Sequence, residues 1–347
     1  MQHVSRQPSK PERHRDGAST QHEIAGRNVR SHERSDSAVT FRPADLFAIS
    51  VPLLFGLAIA LNARRVPDWA EVSGALVGAA VLGIGCRIWA TASTSRLAQF
   101  AGSFYVIVTL WTTYSRLNPL IDLVSPVPYD RDLQAIDAFL FGVQPSVWLE
   151  QFQRPWLTEV LFIAYALFFF WQLALGILLF LRRDRDALAD YLLTVLMFYM
   201  LSYVSYVFVP AIGPRFDLAP FYTQELHGLW LADDIRRSFL HIPMLRDCFP
   251  SGHTGLTILV LFHAYKSRAR VFFWIMLPCA MLLIFSTVYC RFHYAIDLLC
   301  AVPFITGILL LKRAVLLAAP EPVRAAASRP LLAPDRLPSR GQLGARQ

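Results

Sequence analysis

The sequence predicts an all-α polytopic transmembrane helix bundle, and three observations carry that reading. Of 347 residues, 55% are hydrophobic and only 17% charged, below the roughly 25% charged residues of soluble domains. The mean hydropathy is +0.41, and the apolar residues lie in long unbroken runs rather than in short alternating segments. The net charge of +8 sits mostly in the polar tails, which leaves the middle of the chain nearly neutral. Together these exclude a soluble globular enzyme, a collagen-like or disordered chain and a disulfide scaffold. They also exclude a nucleic-acid surface, because the positive charge forms no patch within the apolar part.

Taken in order, residues 1–44 are polar and read as a disordered basic tail, with no short apolar stretch and cleavage site that would mark a removable signal peptide. A span needs about 20 mostly apolar residues, and the candidates are roughly 46–63, 71–92, 99–115, 157–181, 187–210, 252–266, 271–290 and 294–312. The third and sixth are short or interrupted by polar residues. Gly74 and Gly78 form a Gly-x-x-x-Gly pair that predicts close helix packing. Residues 45–98 form an added hairpin, residues 99–315 the core, and 316–347 a second disordered tail.

Lys and Arg in short loops set the orientation. Arg182, Arg183 and Arg185, then Lys266, Arg268 and Arg270, then Lys312 and Arg313 all fall on the side of the two tails, and Arg64 and Arg65 are the exception. Both termini are therefore expected in the cytoplasm, with loops 116–156 and 211–251 facing outward. Trp69, Trp148, Trp156 and Trp230 lie near span ends or in these loops, as an interfacial belt would place them.

Cysteine spacing suggests no zinc site. Cys86, Cys279 and Cys300 lie inside spans, while Cys248 and Cys290 share the outer face, where a disulfide between them is compatible with an oxidising compartment. Of nine histidines, four lie in the N-terminal tail, and His227 and His241 are expected to be exposed loop residues. His263, at the inner end of a span, is expected to find a local hydrogen bond. His253 and His293 stand in a different context.

His253 lies in Cys248-Phe249-Pro250-Ser251-Gly252-His253-Thr254. Pro250 and Ser251 are helix-start signals, so this stretch sets free backbone N–H groups at a helix N-terminus, where phosphate binds readily. Gly252 allows close approach to the backbone, and a histidine there can protonate a leaving group. His293 and Asp297 are four apart and share one face of a helix. An aspartate holding one imidazole nitrogen leaves the other free as a nucleophile, and a carboxylate entering a span points to function. Arg215 and Arg291 supply the planar forks that suit phosphate. Two histidines, two arginines and an aspartate on one face are what metal-free phosphoryl transfer needs.

These motifs resemble the type 2 phosphatidic acid phosphatase superfamily, the integral-membrane lipid phosphate phosphatases and their phosphotransferase relatives. Pro250-Ser251-Gly252-His253 matches the family's second motif, and His293-x-x-x-Asp297 lies in its third, where Ser286 is kept and Thr287 stands in place of an arginine. The usual first motif is absent; Gly213-Pro214-Arg215 and Tyr289-x-Arg291-x-His293-Tyr294 stand instead. These departures, and Asp132-Leu133-x-x-Ile136-Asp137-x-x-Leu140-Phe141-Gly142, look like the inositol phosphorylceramide synthase branch. The likeness covers about residues 130 to 315.

The resemblance implies a six-helix phosphatase-like core after two extra N-terminal spans, with no cofactor and no metal requirement. It implies that His293, oriented by Asp297, attacks phosphorus while His253 protonates the leaving oxygen. Arg215, Arg291 and the Ser251–Gly252 backbone would hold the oxyanions. The substrate would be a lipid phosphate and the acceptor an alcohol, making a transferase, or water, making a phosphatase. A transporter or membrane scaffold without catalysis is the reading from another class. The localisation implied is a bacterial inner membrane, with the site on its outer face. The outer loop around 221–246 is mixed enough to lie in the interface as an amphipathic lid or to pack on the bundle. Asp130, Asp132 and Asp137 in the other loop are open to solvation or to recognition of a polyol or cationic head group.

Overall fold

In the computed structural model, which describes residues 41–240, 242 and 244–318, every regular element is helical. Apart from residues 41–44 and 316–318, which fall at the ends of the first and last helices, the expected tails lie outside the described residues, as does His241. The chain forms α1 (Pro43–Leu61), α2 (Trp69–Ala92), α3 (Arg96–Ser115), α4 (Asn118–Val124), α5 (Asp130–Phe141), α6 (Pro145–Trp148) and α7 (Pro155–Ala166). It continues through α8 (Phe168–Leu181), α9 (Arg185–Phe208), α10 (Pro214–Asp217), α11 (Ala232–Leu240), α12 (Gly252–Lys266), α13 (Arg270–Tyr289) and α14 (Ala295–Ala318).

Local chemistry explains several boundaries. Side-chain oxygens of Ser95, Asp184 and Ser251 accept from the N–H three residues on and cap α3, α9 and α12. Prolines open α1 and α7, where a missing N–H costs nothing. Gly142, at φ +72°, closes α5 in the left-handed conformation.

Five helices, α1, α2, α9, α13 and α14, are long and apolar enough to cross a membrane, and α7 with α8, bent by 43°, make a sixth. The eight expected spans exceed this by α3 and α12. Threonines Thr109 and Thr113, wholly buried in α3, dilute its apolar content. α12 has 15 residues, a length of about 22 Å, short of the ~30 Å of a hydrocarbon core. It packs among α8, α9, α13 and α14, so protein rather than lipid covers much of its surface. α9 is the central post, with 72% of its apolar window buried.

The hairpin α1–α2 packs on α3 and α9. A buried ion pair joins Arg87 Nε to Asp45 at 2.8 Å, with the Tyr105 hydroxyl donating to the same carboxylate at 2.7 Å. Gly74 and Gly78 make no close helix contact. That role falls to Gly83 and Gly102, where an added Cβ would lie 2.6 Å from the Tyr105 ring and 2.4 Å from Ala90.

The long loops gather at one end of the bundle. The other end holds α9, α12 and α14 together through Asp190, which accepts from Lys266 at 2.9 Å and Lys312 at 2.8 Å and lies 3.5 Å from His263. For His263, expected to find a local hydrogen bond, the structure shows this carboxylate contact at ion-pair distance.

Candidate active site

The loop end is built on backbone held by buried acids. The Asp130 carboxylate accepts from the N–H groups of Ile212 and Gly213, at 2.9 and 2.8 Å, and from the Tyr294 hydroxyl at 2.9 Å. Two turns further along α5, Asp137 accepts from Ala295 and Ile296 N–H, both at 2.8 Å, and so caps the start of α14. Both acids are almost wholly buried. Burial pushes their carboxyls above the usual range, while the backbone donors pull the other way. The expectation of solvation or head-group recognition at Asp130 and Asp137 is thereby overturned, because their oxygens are spent on the chain itself. Gly213, at φ +85°, completes the corner. A Cβ there would lie 2.7 Å from the Phe292 carbonyl oxygen, and the left-handed backbone also favours glycine.

The corner and the α14 start bring the singled-out residues together. His293 Nδ1 lies 3.2 Å from Asp297 Oδ2, and its Nε2 lies 3.4 Å from His253 Nδ1. The pairing is not the helical one expected from spacing. α14 begins at Ala295, so His293 stands in the turn before it, and Asp297 Oδ2 folds back to accept from Tyr294 N–H at 2.9 Å. The Thr287 carbonyl accepts from His293 N–H at 2.9 Å, which fixes the histidine's backbone. The Thr287 hydroxyl donates to Ile284 O within its own helix, so this position supplies no phosphate ligand.

His253 is half-buried between aromatic rings. Tyr165 stacks on it at 4.2 Å and 22°, and Phe168 lies 4.2 Å away at 37°. The Tyr165 hydroxyl is 3.4 Å from its Nδ1. Phe292 stacks on Tyr165 in turn, at 4.2 Å and 16°. Sequence reasoning missed Tyr165 and Phe168, since one aromatic ring in an apolar run looks like any other.

Ser251 is placed differently from expectation. Its N–H donates to the Asp297 carbonyl oxygen at 3.2 Å and its hydroxyl oxygen caps α12. It ties the two histidine-bearing segments together rather than offering its N–H to phosphate. Gly252 and His253 carry the backbone N–H groups left at the start of α12.

The two arginines line a cleft of about 390 Å³ with Tyr222, Gln224, Glu225 and Arg236. The Arg215 guanidinium stacks over Phe216 and Phe292, at 4.6 and 4.9 Å, and the Arg215 backbone N–H donates to the Arg291 carbonyl at 2.7 Å. Arg291, at φ +65°, turns its side chain to the loop that carries Tyr222 and Gln224. It lies 3.7 Å over the Tyr222 ring, donates to the Gln224 carbonyl at 2.8 Å and reaches Glu150 at 4.0 Å. Its guanidinium therefore faces the cleft and loop instead of the histidine pair. Burial lowers the Arg291 pKa and pushes the Tyr222 phenol up to about 12, so the pair meets as cation and neutral ring.

The loop around 221–246 packs on the bundle, one of the two behaviours expected of it. α11 packs on α7, and the buried Glu159 carboxylate accepts from Leu229, Trp230, Leu231 and Ala232 N–H at 2.7 to 3.3 Å. Phe239 packs edge-on against Tyr165 at 5.1 Å, while Phe221, Leu229, Trp230 and Leu231 remain exposed. The four belt tryptophans are exposed as well.

All cysteines among the described residues are free, so the disulfide admitted for Cys248 and Cys290 is absent. Cys248 instead donates its S–H to Asp297 Oδ2 at 2.9 Å. Burial, reinforced by the Asp297 charge, pushes its thiol well up and keeps it protonated at neutral pH.

Fold and site define an all-helical membrane protein with a histidine pair, an aspartate and an arginine-lined cleft at one end. The chain belongs to the PAP2 superfamily, whose model matches residues 131–311, just over half its length. That family works as membrane phosphatases and phosphotransferases on phosphate esters. No curated protein and no solved structure matches the chain.

Proposed function

We propose that the protein transfers the phosphoryl-bearing head group of a lipid-linked phosphate through a phosphohistidine at the outer face of its membrane. One observation carries this reading: His293 turns Nδ1 to Asp297 and Nε2 to His253. With Nδ1–H donated to the carboxylate, Nε2 keeps its lone pair and accepts from His253 Nδ1–H. A phosphoryl group entering between the rings meets a nucleophile on one side and a proton donor on the other. In the first step the Nε2–P bond forms, the bond from phosphorus to the leaving oxygen breaks, and His253 protonates that oxygen. In the second step the acceptor hydroxyl attacks phosphorus, gives its proton to His253 and releases His293. Arg215, with the Gly252 and His253 N–H groups, answers the charge that spreads over the oxygens in each transition state.

Lipid access is supported by the exposed Phe221, Leu229, Trp230 and Leu231 beside the site. The outward orientation rests on the Arg and Lys clusters of the opposite end. An alcohol acceptor, as in the inositol phosphorylceramide synthase branch, is favoured over water by the cleft, whose volume of about 390 Å³ and charged lining exceed what one water needs. Arg291 belongs to this acceptor side.

The test is a panel of lipid phosphates and phosphodiesters in detergent, with and without polyol or lipid alcohol acceptors. New phosphodiester appearing in proportion to acceptor supports transfer. Free phosphate released at a rate indifferent to acceptor makes the enzyme a phosphatase, and inertness across the panel favours a non-catalytic scaffold.

A further inference from the structure

Cys248 has no place in the metal-free reaction, yet with His293 and Asp297 it forms a triangle with the dimensions of a soft-metal site. Cys248 Sγ lies 2.9 Å from Asp297 Oδ2 and 3.6 Å from His293 Nδ1, and the latter two are 3.2 Å apart. Zinc bonds of about 2.0–2.3 Å at tetrahedral angles set S, N and O ligands about 3.3–3.6 Å from one another. Only the Sγ–Oδ2 edge must lengthen, by about half an ångström, to meet that geometry. The three residues come from two segments, the loop before α12 and the α14 start, and all are buried.

A second observation points to a cation independently. Asp297 is wholly buried, and its Oδ1 has no hydrogen-bond partner although Oδ2 accepts from three groups. An idle carboxylate oxygen in a dry site is costly and offers a further lone pair to an ion. Charge fits too, because one thiolate and one carboxylate neutralise a divalent ion at a depth where net charge is disfavoured.

We infer that Cys248, His293 and Asp297 form a three-ligand site for Zn²⁺ or a similar soft divalent ion, which reversibly blocks the enzyme. Binding exchanges the Cys248 S–H proton for the metal and releases it to solvent. The His293 Nδ1 proton gives way to the metal, and the neutral ring carries its proton on Nε2, the nitrogen assigned as nucleophile. The block, unlike the site, rests on the proposed function. One proton released per ion makes the apparent affinity rise tenfold per pH unit below the thiol pKa.

Co²⁺ titration of the full chain, stripped with chelator and held in detergent, tests the site without any substrate. The expected result is one ion per chain, with a thiolate-to-metal charge-transfer band that disappears in Cys248→Ser and survives in Cys290→Ser. Titrating the wild type with Zn²⁺ and measuring its X-ray absorption needs no variant, and a shell of one sulfur with nitrogen and oxygen neighbours is expected. Absence of a stoichiometric ion, a band retained in Cys248→Ser, or a sulfur-free shell overturns the site. Turnover with and without Zn²⁺ tests the block separately. Inhibition that tracks occupancy and is reversed by chelator supports it. Full turnover by the metal-loaded protein overturns the block, and with it the nucleophile assignment, while leaving the site intact.

Discussion

The bundle carries a histidine–aspartate pair at each end, and the two differ in everything around them. At the lysine-bearing end His263 Nδ1 lies 3.5 Å from Asp190, whose oxygens are taken by Lys266 and Lys312, while Lys312 also donates to Thr194 at 2.7 Å. His263 is buried, and its Nε2 faces no partner. At the loop end Asp297 is held by neutral donors alone, a thiol, a backbone N–H and an imidazole, and the second nitrogen of His293 looks at another histidine. Cations stand near this site but line the cleft instead of sealing the acid. The contrast teaches that a histidine beside a carboxylate is not in itself a reactive unit. An acid neutralised by lysines clamps helices together. An acid left with its charge can hold a tautomer and stabilise the imidazolium-like charge that develops when the ring attacks.

The largest expected effect separates the ends directly. His293→Gln is expected to lower kcat by about 10³-fold or more, with the melting temperature little changed, whereas His263→Gln leaves kcat within about twofold. Steady-state turnover and a thermal melt on each variant check both statements, and equal losses at the two ends would erase the distinction. Next comes Asp130→Ala, which strands the Ile212 and Gly213 N–H groups at about 1–3 kcal/mol each. Because that corner positions Arg215, turnover is expected to fall at least tenfold. Asp130→Asn, which keeps an acceptor, should recover part of it.

A smaller effect on chemistry, but a clear one on stability, is expected at the lysine-bearing end. Asp190→Asn leaves Lys312 and Lys266 without their counter-charge. The cost is put at about 2 kcal/mol, below the 3–5 of a fully buried pair, because Asp190 keeps 22% side-chain exposure. The melting temperature drops while kcat of the folded fraction is unchanged. Smallest is Glu159→Ala, which frees the start of α11. Lipid KM is expected to rise a few-fold with kcat held, read from substrate-saturation curves, and a change in kcat alone would dissociate this loop from lipid access.

Much of this was legible in the sequence. Long apolar runs gave the helices, and the Lys266 and Lys312 clusters gather at the end of the bundle opposite Asp297. Pro250-Ser251-Gly252-His253 and His293-x-x-x-Asp297 led to the histidine pair. What was hidden depended on contacts across the fold. α12 ranks among the expected spans, although short, because burial against other helices leaves the same apolar composition as burial in lipid. Asp130 and Asp137 looked like loop residues because a carboxylate that accepts backbone N–H groups has no local signature, although their spacing of seven sets them on one face of α5. Cysteine spacing gave no hint of the proposed metal site, since Cys248 meets Asp297 only through folding. Arg291 looked like a phosphate ligand by its nearness in sequence to His293, yet the left-handed backbone at that residue turns its side chain to Tyr222 and Gln224.

The nucleophile assignment is tested most directly by trapping the enzyme in mid-reaction. Wild-type protein mixed with a phosphorus-labelled lipid phosphate and quenched within one turnover is expected to carry one label per chain, stable in base and lost in acid, on the peptide containing His293. His293→Gln should carry none, and Asp297→Asn should carry it only slowly. Label on any other residue, or full labelling of His293→Gln, would contradict the account.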